Sequence, residues 1–186
     1  MTETSLPSPE LLRKLLRYEP DTGKLFWLPR DDNFFLSSGA AKRWNNKYAN
    51  NGAFLTNLNG YRSSEMFEKT FYAHRVIWAM QTNKWPDCEI DHIDRDRTNN
   101  IWTNLRLAST SQNRANKQSK PNSTSKYLGV CWMKKDKKWR AQIRKNKKDF
   151  FLGDFVCEIE AAKAYDAKAK ELHGEFANLN FPEVFA

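Results

Sequence analysis

Apolar and polar positions change rhythm several times along the chain, and each change predicts an element. In "SPELLRKLL", Leu11, Leu12, Leu15 and Leu16 recur at helical spacing, with Ser8 suited to the N-cap and Pro9 to the first helical position. Pro20-Asp21-Thr22-Gly23 reads as a turn, and Lys24 to Leu28 as a strand. Arg30 to Asn51 is rich in Asn, Ser and Lys and reads as a loop. Asn59-Gly60 is a hairpin signal between "GAFLTNL" and "YRSSEMF". "FYAHRVIWAM" runs into a helix that ends before Pro86.

Ile90, Ile93, Leu105 and Leu107 alternate with polar residues as two hairpin strands would, and "STSQNRANK" follows with a capped, helical composition. "KQSKPNSTS", Lys117 to Ser125, holds no hydrophobic residue and reads as a linker. Beyond it come three strand-like runs, "YLGVCWM", "KWRAQIRK" and "DFFLGDF", then a helix over Glu158 to Leu172. Its expected buried stripe is Ile159, Ala162, Tyr165, Ala169 and Leu172, with Gly174 ending it. Two small domains joined by a basic linker result.

Composition narrows the function. Apolar residues at 40% are enough for folded cores, and the net charge of +9 is unevenly spread. From Arg114 to Lys148 there are thirteen Lys or Arg against one acid, Asp136, with Trp132, Trp139, Phe150 and Phe151 interleaved. Such a run is a folded basic surface that attracts polyanions, nucleic acid first. The three cysteines form no CxxC pair, which argues against a disulfide framework and structural zinc. No apolar run approaches the ~20 residues needed to span a bilayer, and the N-terminus lacks a signal peptide's pattern. The expectation is a cytoplasmic protein with no membrane association.

The candidate chemistry lies in "EIDHIDRDRTNN". Asp91 and His92 are adjacent, Asn104 follows in "TNLRLAS" and Asn113 in "TSQNRANK". An Asp-His pair alone reads as a turn more readily than as a site. The joint pattern lets Asp91, His92 and Asn113 converge through strand, loop, strand and helix. "AHRVIW", "DHID", "TNNIWTNLRLAS" and "SQN", from Ala73 to Asn116, resemble the HNH endonuclease family, in its phage homing-endonuclease branch. The resemblance implies an α+β protein with a ββα-metal core. It makes Asp91 a metal ligand, His92 the general base and Asn104 the brace of the loop that positions His92. Asn113 stands where many relatives carry the last histidine and would be the second ligand. It also implies strand cleavage leaving a 5′-phosphate and a 3′-hydroxyl. Imidazole titrates near pH 6.5 and so can take a proton at neutral pH. Oxygen donors favour one divalent ion of the Mg2+ or Mn2+ type over zinc. His74 reads as a packed or hydrogen-bonded helix residue. Asp94 and Asp96 read as solvated or paired with Arg95 and Arg97.

"SKYLGV", "KWRAQIR", "FFLGDF" and "EAAKAYDAKAKELHGEFANLNFP" resemble the Apetala/ethylene-response-factor DNA-binding domain over Ser125 to Pro182. The resemblance implies a three-stranded antiparallel sheet on one α-helix, with the other face in the DNA major groove. Alternation places Trp139, Ala141 and Ile143 toward the helix and Arg140, Gln142 and Arg144 outward, where Arg and Gln are standard base readers. Lys134, Lys135, Lys137, Lys138, Lys145, Lys147 and Lys148 are assigned to phosphates, and Phe151 to the sugar-phosphate backbone. Leu128, Cys131, Met133 and Asp149 depart from the plant pattern, so its sequence preference does not carry over.

The resulting divisions are a β-rich region at 1–72, the nuclease core at 73–116, a linker at 117–125 and the DNA-binding domain at 126–186. The leading expectation is a site-specific endonuclease acting on double-stranded DNA as a monomer or a weak dimer. The alternatives are a non-cleaving DNA-binding regulator on a nuclease relic and an RNA-binding or nucleoid protein.

Overall fold

A computed structural model describes residues 6–116 and 123–182. Tertiary contacts divide the chain into two compact units, Met1–Leu107 and Ala108–Ala186. The fold is mixed α/β, as the sequence pattern implies.

The first unit opens with helix α1 (Pro9–Leu15), and the Ser8 hydroxyl caps it by accepting from the Leu11 amide. Leu12 and Leu15 are fully buried. The helix stops one residue short of the apolar pattern, because Leu16 is extended and begins strand β1 (Leu16–Glu19). β1 pairs antiparallel with β2 (Lys24–Trp27) across the Pro20–Gly23 turn, and β3 (Gly52–Ala53) completes a three-stranded sheet. A period-3.6 stripe runs straight into a strand here, so periodicity alone could not find β1.

The polar stretch read as a loop over Arg30–Asn51 is instead largely helical: α2 spans Ser38–Tyr48. Ser37 caps it, accepting from the Ala40 amide. Only Ala41, Trp44 and Tyr48 recur on its apolar side, too few for a clear stripe. Tertiary packing supplies the rest, since Trp44 sits edge-on to Trp27 at 5.9 Å.

β4 (Thr56–Leu58), β5 (Tyr61–Met66) and β6 (Lys69–Tyr72) form a second sheet, and Asn59-Gly60 makes the predicted hairpin turn between Leu58 and Tyr61. Helix α3 (Ala73–Thr82) follows directly and ends on left-handed Asn83. The Arg13 guanidinium closes that end, donating to the Met80 carbonyl and to Asn83 Oδ1. Val76, Ile77 and Ala79 join Leu12, Leu15, Leu25, Ile90 and Leu105 in one core. A two-stranded ribbon, β7 (Glu89–His92) with β8 (Leu105–Ala108), lies on this unit. Its expected alternation holds only in part, because Ile90 and Leu105 are buried while Ile93 and Leu107 are exposed.

The second unit contains α4 (Thr110–Ala115), whose Ser109 and Gln112 form a reciprocal capping box. Most of the predicted linker, residues 117–122, lies outside the described residues. Ser125 is buried, donating to Glu158 and accepting from the Tyr127 amide. β9 (Val130–Met133), β10 (Lys138–Lys145) and β11 (Lys148–Phe155) form an antiparallel sheet in the order β11-β10-β9, and α5 (Glu158–His173) packs on it. The core is small: Val130, Ala141, Ala161 and Ala162, with Tyr127, Trp139, Leu152 and Phe155 against them. Alanines let the helix axis approach the sheet. Gly129 does the same for Tyr165, whose Cδ2 would stand 2.0 Å from any added Cβ. The buried stripe of α5 is Ala161, Ala162, Asp166 and Ala169, rotated from the expected one, and Ile159 is exposed. Asp166 causes the rotation by turning inward to accept the Asn180 and Phe181 amides at 2.8 Å each.

Candidate nuclease site and nucleic-acid interface

Asp91 and His92 end β7, and both are buried although strand alternation would send one of them outward. Arg75 of α3 holds the chain entering this strand, donating to the Pro86 and Cys88 carbonyls. The loop after the strand is closed by Asn104. Its Oδ1 accepts from the Asp94 amide at 2.9 Å, and its Nδ2 donates to Asp94 Oδ1 and to the Asn99 carbonyl at 2.8 Å each. The Ile93 amide also donates to the Asn104 carbonyl. Asp94 and Asp96 both serve the loop. Asp94 accepts from Asn99 and from the Asp96 amide, and Asp96 from the amide and hydroxyl of Thr98.

His92 meets a partner that sequence reading did not single out. Its Nε2 lies 3.0 Å from Asn100 Oδ1, and an amide oxygen accepts, so Nε2 carries the proton and Nδ1 is the basic nitrogen of the neutral ring. Burial lowers the pKa of His92, opposed chiefly by the Asn100 hydrogen bond, so the neutral form prevails near pH 7. Asn100 is itself fixed from behind. Its carbonyl accepts from the Tyr18 hydroxyl at 2.8 Å, and the Trp102 amide donates to the Pro20 carbonyl. Gly23 makes this approach feasible: an added Cβ would stand 2.5 Å from the Ile101 nitrogen and 2.6 Å from the Asn100 carbonyl carbon. Such contacts join residues some eighty positions apart and leave no local signal.

His74 packs against His92, ring centroids 5.3 Å apart, with Tyr61 and Tyr72 on its other sides. Its Nδ1 is buried with no hydrogen-bond partner among the described residues. Burial first, then the neighbouring His92 and Arg75, lower its pKa from 6.5 to about 3. The unfolded chain therefore binds a proton that the folded one refuses. Stability is full above pH ~6.5 and falls as pH drops toward 3, by at most about 1.4 kcal/mol per pH unit for this group. Urea titrations between pH 7 and 5 are expected to show His74→Phe losing that share of the slope. An unchanged slope would contradict the assignment.

Asp91 faces a cation. Arg106 donates through Nε at 2.9 Å and Nη2 at 2.8 Å to Asp91 Oδ2, a pair almost wholly out of solvent. A carboxylate is a donor that a hard divalent ion prefers, but Oδ2 of Asp91 is already taken by Arg106. Among the described residues no three His, Cys, Asp or Glu cluster as a metal site, and the expected second ligand is an asparagine. Thus Asp91, His92 and Asn104 come together on the first unit. Asn113 lies in α4 of the second.

On the sheet of the second unit, register settles the faces. Trp139, Ala141 and Ile143 lie toward α5; Arg140, Gln142 and Arg144 lie outward. Both arginines are engaged: Arg140 is bidentate to Asp154 at 2.8 and 2.9 Å, Arg144 bidentate to Asp149 at 2.5 and 2.6 Å. Phe151, 63% exposed, carries the Arg140 guanidinium 5.2 Å from its ring. Lys134 and Lys138 are exposed. Lys148, expected with the phosphate contacts, pairs with Lys145 in register and lies over Phe150, on the helix side rather than the Arg140 face. Lys145 is withdrawn as well, donating to the Leu172 carbonyl near the end of α5. Odd positions of β10 point to the helix, which places Lys145 and its register partner Lys148 on that side.

The sequence that builds this ribbon and this sheet has matches among known families and proteins. The model of the HNH endonuclease family matches residues 71–115, and that of the AP2 domain matches residues 125–175. The chain is 36% identical over 109 residues to an uncharacterized HNH endonuclease of Acanthamoeba polyphaga mimivirus, covering 58% of this chain and 56% of that protein. It is 31% identical over 118 residues to Protein 3.8 of Escherichia phage T7, covering 62% of this chain and 96% of that protein. The chain belongs to the HNH endonuclease family and carries a C-terminal AP2 domain. HNH nucleases generally use a divalent metal ion, and AP2 domains bind DNA. Among the described residues no helix is long and apolar enough to cross a membrane.

Proposed function

We propose that the protein is a metal-dependent, site-specific endonuclease of the phage homing type that cuts double-stranded DNA. The observation that carries this reading is the buried Asp91-His92 pair, with His92 held by Asn100 and its loop braced by Asn104. In this reading His92 Nδ1 takes the proton of the attacking water. Asn104 keeps the loop from relaxing, and Asn100 keeps the imidazole in the tautomer that presents Nδ1. Asp91 would hold the ion, with Asn113 as the amide ligand that the family resemblance assigns. A bound Mg2+ or Mn2+ would supply Lewis-acid stabilisation of the phosphoryl oxygens. One such site cuts one strand, leaving a 5′-phosphate and a 3′-hydroxyl. A double-strand break then needs a weak dimer or two successive events. We keep 73–116 as the nuclease core, 1–72 as the β-rich N-terminal region of the nuclease domain, 117–125 as the linker and 126–186 as the DNA-binding domain.

Arg140, Gln142 and Arg144 would read bases, with Lys134, Lys138 and Phe151 on the backbone. Arg140→Ala is expected to cost about 1–3 kcal/mol on the preferred sequence. Asp154→Asn releases Arg140 and removes a charge that repels phosphate, so it is expected to tighten binding. Titrations by fluorescence anisotropy check both. Equal affinity of all three proteins would sink the outward-face assignment.

The Arg106–Asp91 pair favours the second reading, a non-cleaving DNA-binding regulator, because the ligand carboxylate already has a cation. Supercoiled plasmid carrying the target separates the two. The nuclease reading requires nicking with magnesium, none with chelator, and far slower nicking by His92→Ala.

A further inference from the structure

The first unit carries a second concavity, away from Asp91 and His92: a cavity of about 780 Å3 walled by α2 and the β5–β6 hairpin. Arg30, Trp27, Trp44, Tyr48, Glu65 and Phe67 are among the residues lining it. Its volume lies in the range of ligand pockets, roughly 300–1,000 Å3.

Arg30 is built into this wall. Its backbone amide donates to Asn45 Oδ1 and its carbonyl accepts from Asn45 Nδ2, both at 2.9 Å. Its guanidinium carbon stands 4.0 Å from the Trp44 ring centroid and 5.0 Å from that of Trp27. Nε is buried and has no hydrogen-bond partner among the described residues. Glu65, the acid in the lining, forms no ion pair with it among those residues. Aromatic faces compensate part of the desolvated charge. An anionic oxygen in the cavity would meet the guanidinium charge, and the planar fork suits phosphate. α2 also carries Lys42, Arg43 and Lys47 with no acid, which favours a polyanion.

Phe67 supplies the other half. It is 49% exposed, and both it (φ 52°) and Glu68 (φ 61°) take left-handed conformations in the tight turn between β5 and β6. That turn favours Asn-Gly, and the β4–β5 turn of the same sheet has Asn59-Gly60 there. A phenylalanine at such a position is strained, because its Cβ crowds the following carbonyl oxygen. Its ring is nevertheless presented at the cavity, as is that of Tyr48, 37% exposed, from α2.

We propose that this cavity binds a single nucleotide unit, its phosphate on Arg30 and its unpaired base against Phe67 and Tyr48. The inference rests on the reading that the protein acts on DNA, and it gives the region before residue 73 a binding role of its own. Aromatic stacking is tolerant of base identity, so the site takes any base.

The test uses the full chain with chelator, so that no cleavage occurs, and anisotropy of a labelled ten-nucleotide oligothymidylate. Phe67→Asn is expected to lower affinity about tenfold while its thermal midpoint stays level or rises, since asparagine tolerates the turn. A merely structural ring would not separate the two readouts in that direction. Arg30→Gln is expected to weaken binding and to flatten the log-log salt slope by about 0.7. Thymidine 5′-monophosphate as competitor tells the source: competition that is lost in Arg30→Gln identifies a free nucleotide as ligand, and its absence identifies a strand. Wild-type affinity in both variants overturns the site. So does capture of a polyglutamate peptide by the same residues with no loss of oligonucleotide binding. Plasmid nicking is scored separately. Intact nicking with unaffected oligonucleotide binding removes only the pocket. Absent nicking with the expected losses removes only the nuclease reading.

Discussion

His92→Ala is expected to slow nicking of a supercoiled target plasmid by about 10²–10⁴-fold, the usual contribution of a positioned general base. The ring is 5% exposed, Nε2 is tied to Asn100, and the neighbours on the ring side are His74 and Tyr61. Truncation to alanine therefore leaves an imidazole-sized space beside an unmoved Asn100. Added imidazole is expected to restore part of the rate, which separates a lost base from a collapsed site. DNA affinity measured with chelator should be unchanged, because the proposed base readers Arg140, Gln142 and Arg144 belong to the second unit. Wild-type nicking by the variant would end the assignment of His92 as base.

Gly23→Ala is expected to destabilise the first unit by about 2–5 kcal/mol and to depress nicking with it. Two costs add. Gly23 has φ +69°, where a Cβ costs about 1–2 kcal/mol. The new methyl also meets backbone of Asn100 and Ile101 below 3 Å, and overpacking costs about 1–3 kcal/mol more. Backbone cannot swing aside as a side chain can, so the loop must shift, and Asn100 with it. A thermal midpoint about 10–25 °C lower is expected for a unit of this size. Nicking at permissive temperature should fall while Arg140-dependent DNA binding persists. A wild-type midpoint would show that the turn and the loop do not touch.

The two predictions mark where information about this protein resides. The sequence by itself determined the class of fold, the Asp91-His92 pair, its bracing Asn104 and the inward and outward sides of β10. The elements and the two sides of β10 are local, following from spacing, caps and a period of two that neighbours in the chain impose on one another. The roles of Asp91, His92 and Asn104, in contrast, are what the family resemblance implies. The sequence also carried the two family resemblances, since their motifs are short contiguous runs. Only the tertiary structure decided that α2 is a helix, that α5 turns Asp166 inward and Ile159 outward, and that Lys148 stands on the helix side. It alone supplied Asn100 as the partner of His92, Arg106 as the partner of Asp91, and Asp154 and Asp149 as partners of the arginines. Each of those outcomes depends on a contact between segments distant in the chain. α2 forms because Trp44 finds Trp27, and Asn100 is placed because Gly23 admits it. Burial and pairing energies of this kind outweigh the local propensities that a sequence displays.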